Sequence, residues 1–392
     1  MKFSCKTKEI LRTVAVVSRA ISGQQAMPIL NNILFQIEGK RCTLSATNLE
    51  FSIISHLDAE VENEGAITIP AKAIQNFTQY STDEDVIFES SEDSQLRCQS
   101  KKSKTIIAGE SATDYPTITP IQKKVQIIVS AEELFQAIHH VSFASARTTT
   151  RPVLSGVYIK ASKKNLTLVA TDSYRLSEYK IPVLEMQGEV ECIIPAKVLV
   201  EIMSILGGVV REKEEKSDGD DKKKENEKRE KEGNPITITL NAQQIEVNIG
   251  RTVILSRLID GTFPDYQQIL PSSHKTKVML PHGELLTVVR RMHYFAKESN
   301  NNLTISVSGK DVLLQTQMTQ IGQDESRMAV AIQGEKNKIA LSSSYLLDFL
   351  SHVSSEEVEM QLTDKMHPAL FRIHNLPNFL HLIMPLRLFE ES

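Results

Sequence analysis

Apolar residues along this chain follow two periods. Ile10, Val14, Val17 and Ile21 recur at helical spacing, as do Leu134, Ile138 and Val141, and again Leu285, Val289 and Met292. Each set predicts a helix with one apolar face that must pack against another layer. Between the helices the pattern changes to alternation around short polar turns. It does so in MPILNNILFQIEGKRCTLSATNLEFSI, with its turn at Gly39, and in RPVLSGVYIKASKKNLTLVATDSYRLSEY, with its turn ending at Asn165. Alternation on both sides of a polar turn predicts antiparallel hairpins.

These two segments match in pattern and turn placement, so the chain contains an internal repeat. AITIPAKAIQNF at 66–77 is echoed by ECIIPAKVLVEIM at 191–203, a strand running into a helix, with Pro70 and Pro195 at the helix entry. Proline is well placed there because its missing N–H would have no helical partner. A third copy reads NNLTISVSGKDVLLQTQ and then KIALSSSYLLDFLSHV, with Ser342 to Ser344 available as helix caps in place of proline. Every copy has the order helix, strands, helix, strands. The prediction is an α+β protein of three repeated domains, at 1–122, 123–272 and 273–392, with linkers near 118–126 and 270–276.

Composition narrows the function. Of 392 residues, 41% are hydrophobic and 24% charged, which describes a folded globular chain. No apolar run approaches a membrane span, and the start MKFSCKTKEI lacks the apolar core of a secretory signal, so the cytoplasm is the expected location. Cys5, Cys42, Cys98 and Cys192 are scattered without metal-ligand spacing and are expected to be reduced thiols. A formal net charge of −4 argues against holding nucleic acid by general attraction, so any DNA contact has to be local or topological.

Catalytic signatures are missing from the sequence: there is no phosphate-binding glycine loop, HExxH, GxSxG or dinucleotide fingerprint. His139 and His140 are adjacent and so point in different directions on a helix. Asp172 and Asp265 lie in turn contexts, where aspartate commonly bonds backbone. The expectation is a protein that is not an enzyme and needs no cofactor or metal. The second domain is interrupted at 209–234 by an insertion whose 211–234 portion, REKEEKSDGDDKKKENEKREKEGN, has mixed charge and no apolar residues. Such a segment reads as a solvated loop, and its mixed signs argue against a dedicated DNA arm.

Three motifs, ATDSYRLS at 170–177, DGTFPDY at 260–266 and MPLRL at 384–388, occur in an order and spacing that resemble the bacterial DNA sliding clamp family, the beta subunit of DNA polymerase III. The resemblance covers nearly the whole chain. It implies sliding-clamp domains joined into a head-to-tail homodimer ring, with inner helices, outer antiparallel sheets and double-stranded DNA encircled without sequence preference. It also implies tethering of the replicative polymerase alpha subunit, the clamp loader, other polymerases and repair proteins through short peptides.

Matched motif to motif, the implied peptide cleft comprises Leu154, Thr171, Ser173, Tyr174, Arg175, Leu176, Pro264, Ile269, Tyr345, Ile383, Met384, Pro385, Leu386, Arg387 and Leu388. Apolar side chains with a flexible methionine suit an adaptable pocket, and the Arg and Tyr tips are expected to orient the peptide. The implied DNA contacts are Arg19, Gln24, Lys72, Arg147, Arg151 and Lys197. The chain departs from the family pattern at Gln24 and Gln268, which stand where relatives can be basic, at Leu386, where Met is common, and in the tail Phe389–Ser392. The alternative reading is a repeated α+β scaffold that binds peptides or proteins without encircling DNA.

Overall fold

The computed structural model describes residues 1–21, 27–91, 93–119, 121–122, 124–148, 150–162, 164–217 and 234–388. Gln24, the tail 389–392 and most of the charged insertion therefore lie outside the described residues. Among the described residues six α-helices occur: α1 (Thr7–Val17), α2 (Ala71–Tyr80), α3 (Ala131–Val141), α4 (Ala196–Ser217), α5 (His282–Ala296) and α6 (Ser343–Ser351). None is long and apolar enough to cross a membrane.

Two compact units divide the chain, and the central repeat contributes to both. One unit holds Met1–Glu132, Leu184–Gly188 and Glu201–Leu258; the other holds Glu133–Val183, Glu189–Val200 and Ile259–Ser392. Each contains a nine-stranded antiparallel sheet that includes strands from two successive repeats. In the first unit Phe51–Leu57 pairs with Thr252–Arg257, Ser52 opposite Leu255 and Ile54 opposite Val253. In the second, Arg175–Pro182 pairs with Leu376–Ile383, Leu176 opposite Leu382 and Arg175 opposite Ile383. Unpaired strand edges invite aggregation, and pairing across the repeat seam removes one from each repeat.

The helix faces are buried as the periodicity predicts. Ile10, Val14 and Val17 of α1, Leu134, Ile138 and Val141 of α3, and Leu285, Val289 and Met292 of α5 are almost completely covered. Ile21 departs from the prediction, because α1 ends at Val17 and gives way to a single tighter turn, Ser18–Ala20. Ser18 Oγ donates to Val14 O at 2.6 Å, and such a back-bond to the preceding turn competes with helix continuation. At α6, Ser342 supplies the expected cap, its Oγ accepting from Tyr345 N–H. The insertion also differs at its start. The backbone stays helical to Ser217, so the first charged residues extend α4 rather than forming a loop. Glu, Lys and Arg are good helix formers, and an existing helix spares them the cost of nucleation.

The cores are apolar and aromatic. In the first unit Phe3 stacks on Phe88 with ring centres 4.9 Å apart. In the second, Phe349 of α6 lies over His381 at 4.7 Å and near Phe371 at 5.1 Å. The cysteines Cys5, Cys42, Cys98 and Cys192 are all free, and burial pushes each thiol up to about 12, so they are unreactive packing residues.

Candidate functional site

Strand alternation in the second unit sorts the three motifs onto two faces of one sheet. On one face Val169, Leu176, Leu382 and Leu370 form a buried apolar cluster with Tyr266; Tyr158, Phe263, Leu270, Leu380 and Met384 pack against it. The DGTFPDY segment lies across this face. Gly261 adopts φ +127°, and a Cβ there would meet Val153 Cγ1 at 2.7 Å, so glycine is required where the loop turns down onto the sheet. Phe263 stacks on Tyr158 at 5.0 Å, and Tyr266 Oη donates to Glu178 Oε2 at 2.5 Å. Burial, and then the neighbouring Glu178, raise the Tyr266 phenol pKa, so it remains a donor. Asp265 Oδ1 accepts from Gln267 N–H, which is the backbone-bonding role expected of a turn aspartate.

The opposite face carries Arg175, Ser177, Tyr179, Phe379, His381 and Ile383, all buried. Arg175 is 3% exposed and fully engaged. Its Nε donates to Asp172 Oδ2 at 3.0 Å, Nη1 to Asp348 Oδ2 at 2.8 Å, and Nη2 to Phe143 O at 2.8 Å. Its guanidinium lies 4.7 Å from the Tyr345 ring centre. The register with Ile383 turns this arginine toward the helices. Ile383 faces the same way and is fully buried.

The ATDSYRLS turn itself is rigidly specified. Ser173 has φ +79°, an uncommon backbone for a residue with a side chain. Thr171 Oγ1 accepts from Ser173 N–H, and Asp172 Oδ1 accepts from both Tyr174 and Arg175 N–H. Tyr174 is left 60% exposed, and its carbonyl accepts from Met384 N–H at 2.8 Å. Leu386 N–H donates to Ala340 O at 2.7 Å, while Arg387 is exposed and its carbonyl accepts from Asn302 Nδ2.

Ser173, Tyr174, Pro264 and Ile269 are exposed and Met384, Pro385, Leu386 and Leu388 half-buried; of these, the structure joins Tyr174 to Met384, which packs on the apolar cluster. Leu176 and Thr171 are buried beneath, Leu154 is buried in the turn Pro152–Ser155, and Tyr345 packs behind on Arg175. Leu370, Leu382, Phe263 and Tyr266, which were not among the sequence candidates, complete the apolar cluster. Leu380 and Leu382 were recoverable from the alternation in FLHLIM, where they share a parity opposite to Phe379, His381 and Ile383.

The cationic candidates are dispersed. Lys72 and Lys197 are exposed in the first turns of α2 and α4, and Arg151 is exposed before Leu154. Arg19 Nη1 donates to Glu201 Oε2 at 3.0 Å. Arg147 is 86% exposed, with Asp348 at 3.9 Å. Among the described residues no group of three or more His, Cys, Asp or Glu is placed to hold a metal ion.

Comparison with known proteins identifies the family. The N-terminal, central and C-terminal domains of the DNA polymerase III beta subunit match residues 1–119, 128–212 and 267–387 in that order. The chain belongs to the DNA polymerase III beta subunit family. Its similarity to the beta sliding clamp of Synechocystis sp. is 27% identity, over 99% of this chain and 100% of that protein. With the beta sliding clamp of Chlamydia pneumoniae it is 26%, over the full length of both. Among solved structures, the Thermotoga maritima beta subunit superposes with TM-score 0.87 at 23% identity, covering 99% of this chain and all of that one. A Pseudomonas aeruginosa sliding clamp bound to griselimycin has the same TM-score, identity and coverage. These structures establish the clamp fold for the chain.

Proposed function

We infer that this chain works as a DNA sliding clamp, the non-catalytic processivity factor of the replicative DNA polymerase. The observation that carries the reading is the match of all three beta-subunit domains, in order, from residue 1 to 387. Domain boundaries near 122 and 272 are part of this reading. Two copies close head to tail around duplex DNA, which the clamp holds by enclosure. The net charge of −4 supports enclosure over tight attraction, since strong phosphate binding is salt-sensitive and would slow sliding. Arg19, Gln24, Lys72, Arg147, Arg151 and Lys197 are proposed to meet the DNA backbone, and the protein to act in the cytoplasm.

The rim formed by Tyr174, Pro264, Ile269 and Met384 to Leu388 over the Leu176 and Leu382 floor is proposed to receive short peptides of polymerases, clamp loader and repair proteins. Its support is an apolar floor with polar backbone at the edge and a methionine at the lip, a composition suited to several ligands. Clamp loader should place the protein on nicked circular DNA in a form that survives high salt and is released when the circle is cut. Retention on the linear product would refute enclosure and favour the scaffold reading.

A further inference from the structure

The chain contains its own control for the role of Arg175. The first repeat builds the same turn at 47–51 that the second builds at 171–175. Thr47 Oγ1 accepts from Leu49 N–H as Thr171 Oγ1 does from Ser173 N–H. Asn48 Oδ1 accepts from Glu50 and Phe51 N–H as Asp172 Oδ1 does from Tyr174 and Arg175 N–H. Leu49 has φ +77° against +79° at Ser173. Phe51 occupies the place of Arg175 and is buried. The turn therefore forms without an arginine, and an apolar residue fills the position. A buried cation is a costly choice where phenylalanine serves, so a requirement other than folding of the turn accounts for it.

What the arginine adds is connection. Asp348 and Tyr345 both belong to α6, and Phe143 lies in the tight turn Ser142–Ala144 that follows α3. Through Nη1, Nη2 and the face of its guanidinium, Arg175 ties these to a turn whose next carbonyl outward, that of Tyr174, holds Met384. We propose that Arg175 and Asp348 form a positioning strut that sets the cleft rim, Tyr174 on one side and Met384 on the other, without touching the peptide. The proposal rests on the peptide-cleft reading above and deepens it.

The test uses the full-length protein and a fluorescent peptide from the C-terminal tail of the cognate replicative polymerase. Asp348→Asn, on a helix and outside the rim, is expected to weaken binding about tenfold, and Arg175→Phe about as much. The double variant should be no weaker than the weaker single, because both remove one connection. Arg175→Lys should fall between wild type and Arg175→Phe. Hydrogen exchange of the peptic fragments spanning 171–176 and 383–388 should quicken in Asp348→Asn while the first unit is unchanged, which separates loss of positioning from general unfolding. Should Arg175→Phe fail to fold, Asp348→Asn and Arg175→Lys carry the decision. Wild-type binding with an unchanged Kd in Asp348→Asn would overturn the strut and leave the cleft standing. Failure of the wild type to bind the peptide would overturn the cleft itself, and the strut with it.

Discussion

Two repeat seams in this molecule share backbone pairing but differ in what their faces carry. At the seam of the second unit, the face bearing Leu176 and Leu382 is apolar and lies under Phe263 and Tyr266. At the matching positions of the first unit, Ser52 and Leu255 are paired, and Glu246 stands beside Leu255. Farther along that face a cavity of about 430 Å³ is lined by Gln36, Thr43, Ile54, His56, Glu246, Val253 and Leu255 among others. Duplication supplied one sheet geometry twice; the side chains on one face decided which copy carries the apolar cluster.

Truncating one leucine at each seam should separate the two units most sharply. Leu382→Ala removes a fully buried side chain from a closed cluster and should cost about 3–4 kcal/mol. Leu255→Ala, at the matching position beside an open cavity, should cost about half as much, since water enters the space left behind. Denaturant unfolding of both variants measures this, and equal losses would mean that the seams are energetically alike.

Acid should also act unequally. His140 of α3 is buried between Tyr179 and Phe379, and burial pushes it down to about 4; the fully buried His381 is held well below the ordinary histidine value, first by burial and then by Arg175. Between pH 6.5 and 4 the unfolded chain therefore binds protons that the folded second unit refuses, so stability is present above about pH 6.5 and is lost as pH falls. His140 alone should account for about 3 kcal/mol by pH 4. Hydrogen exchange at pH 7 and pH 5 should show Arg175–Pro182 and Leu376–Ile383 losing more protection than Phe51–Leu57, which has the single, less deeply buried His56.

The smallest effect concerns two tyrosines that precede the linkers. Tyr266 Oη donates to the Glu178 carboxylate at 2.5 Å, whereas Tyr115 Oη donates to the Asn32 carbonyl at 3.2 Å. Tyr266→Phe should cost about 1–2 kcal/mol and Tyr115→Phe about 0.5 kcal/mol, because hydrogen bonds to charged groups are the stronger. Melting midpoints decide it, and the reverse order would contradict the charge argument.

Much of the fold was legible in order along the chain. The helix faces of α1, α3 and α5, the two hairpins and the cap at Ser342 all follow from local periodicity and polar punctuation. The helical extension to Ser217 was not legible, because Glu, Lys and Arg have the composition of a solvated loop and also good helix propensity. At the site, Asp172 and Asp265 read correctly as turn formers, while nothing in the sequence signalled that Arg175 and Ile383 lie on the face opposite Leu176 and Leu382. Alternation in LHLIM divides residues into two sets but carries no label for which set meets the helices.

By itself the sequence determined the repeat, the element order, the family and the motif segments, since these reside in spacing and local propensity. Tertiary structure decided the rest. Pairing of Arg175 with Ile383 sends one parity toward α6 and the other toward Tyr266, and a shift of one residue would exchange every side chain between the faces. A contact between residues so distant in sequence leaves no periodic trace in either segment. It becomes visible only when both strands stand in register.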